Sequence, residues 1–191
     1  MKNYSNNIKS FQEVLEEFEF TFKKFSMGIE EINRQFLNNV IISSNGNFYG
    51  YSTYDDFIIV KKKAELELNR KFIVDMVTSF EAKIVYYFRN VLKRKSPMGD
   101  SYRRNVAPSV RQGHKQLMYQ HIKPVFKEII QPIDNTVYLE FLNLVTYRNW
   151  LVHGRSSELP NYLENYTFQN TWRTIESILN LLPDYPESLK E

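Results

Sequence analysis

The chain has 191 residues, 42% hydrophobic and 25% charged, with 13 Tyr and 14 Phe against six Gly and seven Pro. That is enough apolar surface for one packed domain over 1–191, and it excludes a collagen-like, linker-like or disordered chain. The formal charge of +3 is unevenly spread, and the absence of Cys excludes a disulfide scaffold, a thiolate zinc site and a cysteine nucleophile.

Residues 1–57 carry five Lys/Arg against eight Asp/Glu, residues 58–127 sixteen against five, and residues 128–191 four against nine. A basic middle between acidic ends suggests a polyanionic partner. The opening MKNYSNNIKSFQEVLEEFEF lacks the apolar stretch of a secretory signal, and no apolar run reaches 18 residues. The expectation is a soluble cytoplasmic protein with no membrane partner.

Apolar residues recur at helical spacing along almost the whole chain. Ile8, Phe11, Leu15, Phe18, Phe22, Phe25, Ile29, Ile32 and Phe36 step by three and four, which predicts one long helix with a coiled-coil-like seam, only mildly interrupted by Gly28. Residues 41–54 read as a loop in which Asn45-Gly46 suits a small hairpin. Asp55 or Asp56 is the expected cap of a second long helix reaching about Lys93, with Ile73, Val77, Phe80, Ile84, Tyr87 and Val91 inward. Residues 94–108, with Pro97, Gly99 and Pro108, read as an exposed basic loop. A third helix is expected from about Ser109, kinked or restarted at Pro124 and ended by Pro132. Asp134 can cap a fourth, with Val137, Phe141, Leu144, Arg148 and Leu151 inward and Gly154 as C-cap. The fifth carries Phe168, Trp172, Ile175, Leu179 and Leu182 and stops at Pro183. The fold class expected is all-α: a single bundle of about five helices, two of them long.

Three residue sets could carry chemistry. His114 and His121 lie seven residues apart, about 10 Å along one helix, too far to chelate one metal together. Lys93, Arg94, Lys95, Arg103, Arg104 and Arg111, with Arg89, Lys115 and Tyr102 nearby, form a basic set able to neutralise phosphates and stack on a base. The third set is the run from Tyr147 to Gly154, YRNWLVHG. There Arg148 takes a place where its apolar stripe calls for Leu or Val, which is costly unless the charge meets a partner or lines a cleft. Asn149 and His153, four apart, share a helical face. One reading is an Arg that pairs with a buried carboxylate beside an incidental His; the other is a cation, an amide and an imidazole converging at one helix end.

RNWLVHG resembles the R-x(4–6)-H signature of HEPN domains, including the polar residue after the Arg, and in local character the RiboL-PSP-like and related small HEPN families. Phe80-Glu81 within MVTSFEAKIVYYF resembles the earlier HEPN helix with an acidic residue on an apolar face, making Glu81 a possible supporting acid. The specific match covers about eight residues; the HEPN-like five-helix pattern covers most of the chain. The resemblance implies a metal-independent endoribonuclease, of the kind found as toxins of toxin–antitoxin or phage-defence systems. Arg148, Asn149 and His153 are then its catalytic set, with RNA as substrate, no cofactor and no metal. It further implies a homodimer bringing two fourth helices to one cleft, and a cognate antitoxin such as a nucleotidyltransferase-type protein. The alternative is a non-catalytic module that binds RNA, a nucleotide or a protein, and a weaker one is a helical adaptor using the first-helix seam.

Overall fold

The computed structural model describes residues 9–37, 54–91, 100, 101, 103, 104, 119–153, 158–163 and 166–182. These form five α-helices: α1 (Phe11–Leu37), α2 (Tyr54–Val91), α3 (Tyr119–Ile129), α4 (Asn135–Val152) and α5 (Phe168–Leu181), with a 3₁₀ turn at Asn161–Leu163. Among the described residues there is no strand, and no helix is long and apolar enough to cross a membrane. The protein is an all-α bundle in which α1 and α2 are the two long helices.

Local chemistry sets most of the helix starts. Ser10 Oγ accepts from the Glu13 amide at 3.1 Å, and the Glu13 carboxylate accepts from the Ser10 amide at 2.6 Å. This reciprocal capping box starts α1. The Asp134 carboxylate accepts from the amides of Thr136 (2.9 Å) and Val137 (3.1 Å) and starts α4, as its position predicts. Thr167 does the same for α5 through the Asn170 amide at 3.1 Å. Helix α2 departs from expectation: Asp55 and Asp56 lie in its first turn rather than at the cap, because the helix already begins at Tyr54. There they oppose the positive end of the helix dipole.

Helix α2 is the centre of the bundle and packs against α1, α4 and α5. It therefore buries more than the single expected stripe: Phe72 and Met76 are as buried as Ile73, Val77, Phe80, Ile84 and Tyr87. Helix α1 runs antiparallel to it. Ser79 Oγ donates to the Lys9 carbonyl at 2.7 Å, and Lys71 meets Glu17 at 3.2 Å, with Glu17 also paired to Lys9. Phe18 stands edge-on to Phe72 at 5.3 Å and stacks on Phe168 of α5 at 4.1 Å, so three helices share one aromatic contact. At about 1.5–3 kcal/mol for each large apolar side chain buried, such contacts dominate stability. The α1 seam is only partly used: Phe11 and Phe18 are buried, Phe25, Ile29 and Ile32 are half-buried, and Phe22 is 39% exposed. Val14, off the predicted seam, is buried instead.

Helix α3 continues through Pro124 rather than restarting there, and a turn over 130–133 joins it to α4. The Ile130 carbonyl accepts from the Asp134 amide at 2.8 Å, which brings the α4 cap back against the end of α3. The expectation of an exposed loop over 94–108 is corrected where the chain is described: Asp100, Ser101, Arg103 and Arg104 are helical, and Ser101 is fully buried. The Asn45-Gly46 hairpin, His114, Gly154 and Pro183 lie outside the described residues.

Candidate active site

Helix α4 carries the candidate set, and its buried residues Val137, Phe141, Leu144 and Tyr147 set the face turned to the core. Tyr147 is fully buried, its ring 5.9 Å from Trp150 and 5.2 Å from Tyr166. Arg148, one residue on and so turned by about 100°, reaches across to α2. There its guanidinium meets the Glu81 carboxylate at 3.4 Å. The two side chains are 21% and 20% exposed. A second guanidinium nitrogen donates to Asn149 Oδ1 at 3.3 Å.

The apolar-stripe position of Arg148 is thus occupied by a charge that has both a carboxylate and an amide for company. This is the condition under which a cation can be held away from bulk water. Glu81, named from the sequence as a supporting acid, is that carboxylate. Because Asn149 uses its carbonyl oxygen on Arg148, its amide N–H pair remains as a donor.

His153 is the C-cap of α4 (φ −87°, ψ 23°), and its amide donates to the Asn149 carbonyl at 2.9 Å. Its side chain is exposed. Helix α4 therefore ends at Val152, with His153 rather than Gly154 as its cap. The structure brings Arg148, Asn149 and Glu81 into one contacting group and sets His153 one turn further, at the rim.

The basic set is only partly described. Lys93, Arg94, Lys95 and Arg111 lie outside the described residues. Arg103 is paired with Asp100, and Arg104 with Glu128 at 2.7 Å. Both arginines thus face carboxylates, which lessens the positive field that an incoming phosphate meets. Of the His pair, only the backbone of His121 is described.

The sequence reading did not single out Arg70. Its guanidinium lies 5.1 Å from the Trp150 ring centre and pairs with Glu67 at 2.7 Å. Glu67, Arg70, Lys71 and Val74 of α2 line a shallow cavity of about 180 Å³ with Leu151 of α4, two residues before His153. The Glu67–Arg70 spacing of three is a surface-pair signal, but nothing in the sequence places Trp150 over it. Comparison of the chain with family models, with curated proteins and with solved structures finds no match.

Proposed function

We propose that this protein is a metal-independent endoribonuclease in which Arg148, Asn149 and His153 act on one phosphodiester. The observation that carries the reading is the group at the α2–α4 contact: Arg148, joined to Glu81 and Asn149, with the His153 side chain exposed one turn away. Cleavage through the RNA's own 2′-hydroxyl needs a base for that hydroxyl, an acid for the departing 5′-oxygen and cations at the phosphorane. An imidazole serves either proton transfer near neutral pH. The planar donors of Arg148 suit non-bridging oxygens, and the Asn149 amide suits a phosphate or ribose oxygen. Glu81 holds the guanidinium in place and is a positioning residue.

One chain supplies one such His. The proposal therefore includes a two-fold dimer in which two α4 ends share a cleft, so that one imidazole acts as base and the other as acid. The acidic ends and basic middle of the chain suit an RNA substrate and, as a toxin, a protein antitoxin.

The Arg148–Glu81 ion pair also favours a second reading, a binding module in which the group only braces α4 against α2. One assay separates the two. Purified protein with single-stranded RNA and EDTA is expected to yield fragments ending in 2′,3′-cyclic phosphate. His153→Ala is expected to lower the rate by about 10²- to 10⁴-fold while leaving the helical spectrum intact. RNA that is bound but never cut, or full cleavage by the His153→Ala protein, overturns the ribonuclease reading.

A further inference from the structure

At Glu67–Asn69, α2 meets Leu151 of α4 across a shared cavity and the start of α5 through hydrogen bonds. Before that point α1 runs beside α2, and Phe57 is buried there. Ile59, Leu66, Ile73, Phe80 and Tyr87 follow one another at seven-residue spacing along α2, which keeps them close to one face. The last three are buried in the bundle, whereas Ile59 is 65% and Leu66 36% exposed. The apolar stripe of the core thus runs out of the bundle into solvent, and Val60 beside it is exposed as well.

The charges around Ile59 are ordered. Asp55 and Asp56 lie four and three residues before it, and Lys62 and Lys63 three and four residues after it. On a helix, offsets of three and four are the surface neighbours of a residue, so Ile59 sits between an acidic pair and a basic pair. All four side chains are exposed. Asp55, Lys62 and Lys63 form no ion pair among the described residues; Lys61, by contrast, meets Glu65 at 3.9 Å.

This order is its own complement under a two-fold rotation. An axis through Ile59, perpendicular to α2, lays a second α2 antiparallel on the first. Asp55 then comes level with the partner's Lys63, twice over, at the end where the partner's Lys62 also lies, with the two Ile59 side chains meeting on the axis. A parallel pairing in the same register would instead set like charges side by side. From this we infer that the exposed face of α2 over 55–66 is a contact surface for a second copy of this chain, paired antiparallel about Ile59. The apolar residues supply the attraction and the opposed charges of Asp55 and the lysines set register and direction, the usual division at such a surface. A contact of one helix face per copy is small, which makes the pairing weak and salt-sensitive. It does not rest on the ribonuclease reading: none of its residues belongs to the Arg148 group.

The chain has no Cys, so Ile59→Cys introduces the sole thiol. A residue on a two-fold axis opposes itself, within disulfide reach when antiparallel helices touch there. Under mild oxidation Ile59→Cys is expected to cross-link to twice 22.9 kDa, at least about tenfold faster than Glu176→Cys on the exposed face of α5. In the Ile59→Cys background, Asp55→Lys/Asp56→Lys and Lys62→Glu/Lys63→Glu should each slow self-cross-linking about tenfold or more. Mixing the two variants should restore the rate and give chiefly the mixed dimer. Should the Asp55→Lys/Asp56→Lys protein lose helix, since the α2 dipole favours acidic residues there, slower self-cross-linking by Lys62→Glu/Lys63→Glu alone supports the surface. Equal rates for the Ile59 and Glu176 thiols, or a rate indifferent to charge reversal, overturn it.

Discussion

Arg148 was legible in the sequence as a charge on an apolar stripe, and Glu81 as an acid on an apolar face 67 residues earlier. That each answers the other was not legible, because nothing local to either helix encodes their register. The 3.4 Å contact between two side chains each about one-fifth exposed makes them a single energetic unit. Removing either partner leaves the other charge less well compensated in a half-dry setting. Arg148→Met and Glu81→Met are therefore each expected to destabilise by about 1–2 kcal/mol. The double variant Arg148→Met/Glu81→Met should lose less than the sum, measured as a double-mutant cycle by urea unfolding. An additive cycle would show that the contact contributes nothing. The hydrogen bond from Arg148 to Asn149 was also hidden from sequence reasoning: adjacent helical residues diverge by about 100°, and only the length of the Arg side chain lets it turn back.

At the scale of elements, helix existence was legible and packing partners were not. Five helices follow from periodicity, and the Asp134 cap follows from its place before an apolar run. Periodicity reads one stripe per helix, so it found the face of α2 that carries Ile73 and Phe80 and missed Phe72 and Met76, which are buried because a central helix is covered on more than one side. The Ser10/Glu13 capping box was present in the sequence, but the apolar seam, counted from Ile8, drew the start of α1 too early. Asn69 is the clearest miss. A half-buried polar residue inside α2, it accepts from the Phe168 amide at 2.8 Å and donates to the Tyr166 carbonyl at 3.3 Å, docking the start of α5. Asp134→Ala should cost about 1 kcal/mol, the usual cap value. Asn69→Ala should cost more, about 1–3 kcal/mol, since it leaves a half-buried amide and carbonyl unanswered. Thermal unfolding of the two variants side by side tests that order; a smaller loss for Asn69→Ala would mean that water replaces both bonds.

At the scale of the whole molecule, stability should depend on pH through the point where the helices converge. Tyr166 meets α2 through Asn69, α4 through the Tyr147 ring at 5.2 Å, and α5 through Thr174, whose hydroxyl lies 3.5 Å from its own. Burial pushes its phenol above the ordinary tyrosine value; the Thr174 hydrogen bond opposes that push, and the charge of Glu140 adds to it. Burial acts in the same direction on Tyr138 of α4. The sign follows from linkage. A raised pKa in the fold means that the unfolded chain gives up its proton first, near pH 10. The stabilisation is therefore complete below that pH and is lost as pH rises from there through the folded value. The protein should hold its melting temperature through the neutral range and lose it steeply above about pH 10. Tyr166→Phe removes the ionising group while keeping the ring against Tyr147, so its melting temperature should change little at pH 7 and fall less steeply above pH 10 than that of the parent. Tyr138→Phe should also blunt the alkaline fall, since burial raises that phenol too. A Tyr166→Phe protein whose alkaline melting curve overlays the parent's would show that this junction stays closed when the phenol ionises, and that the alkaline limit is set elsewhere in the bundle.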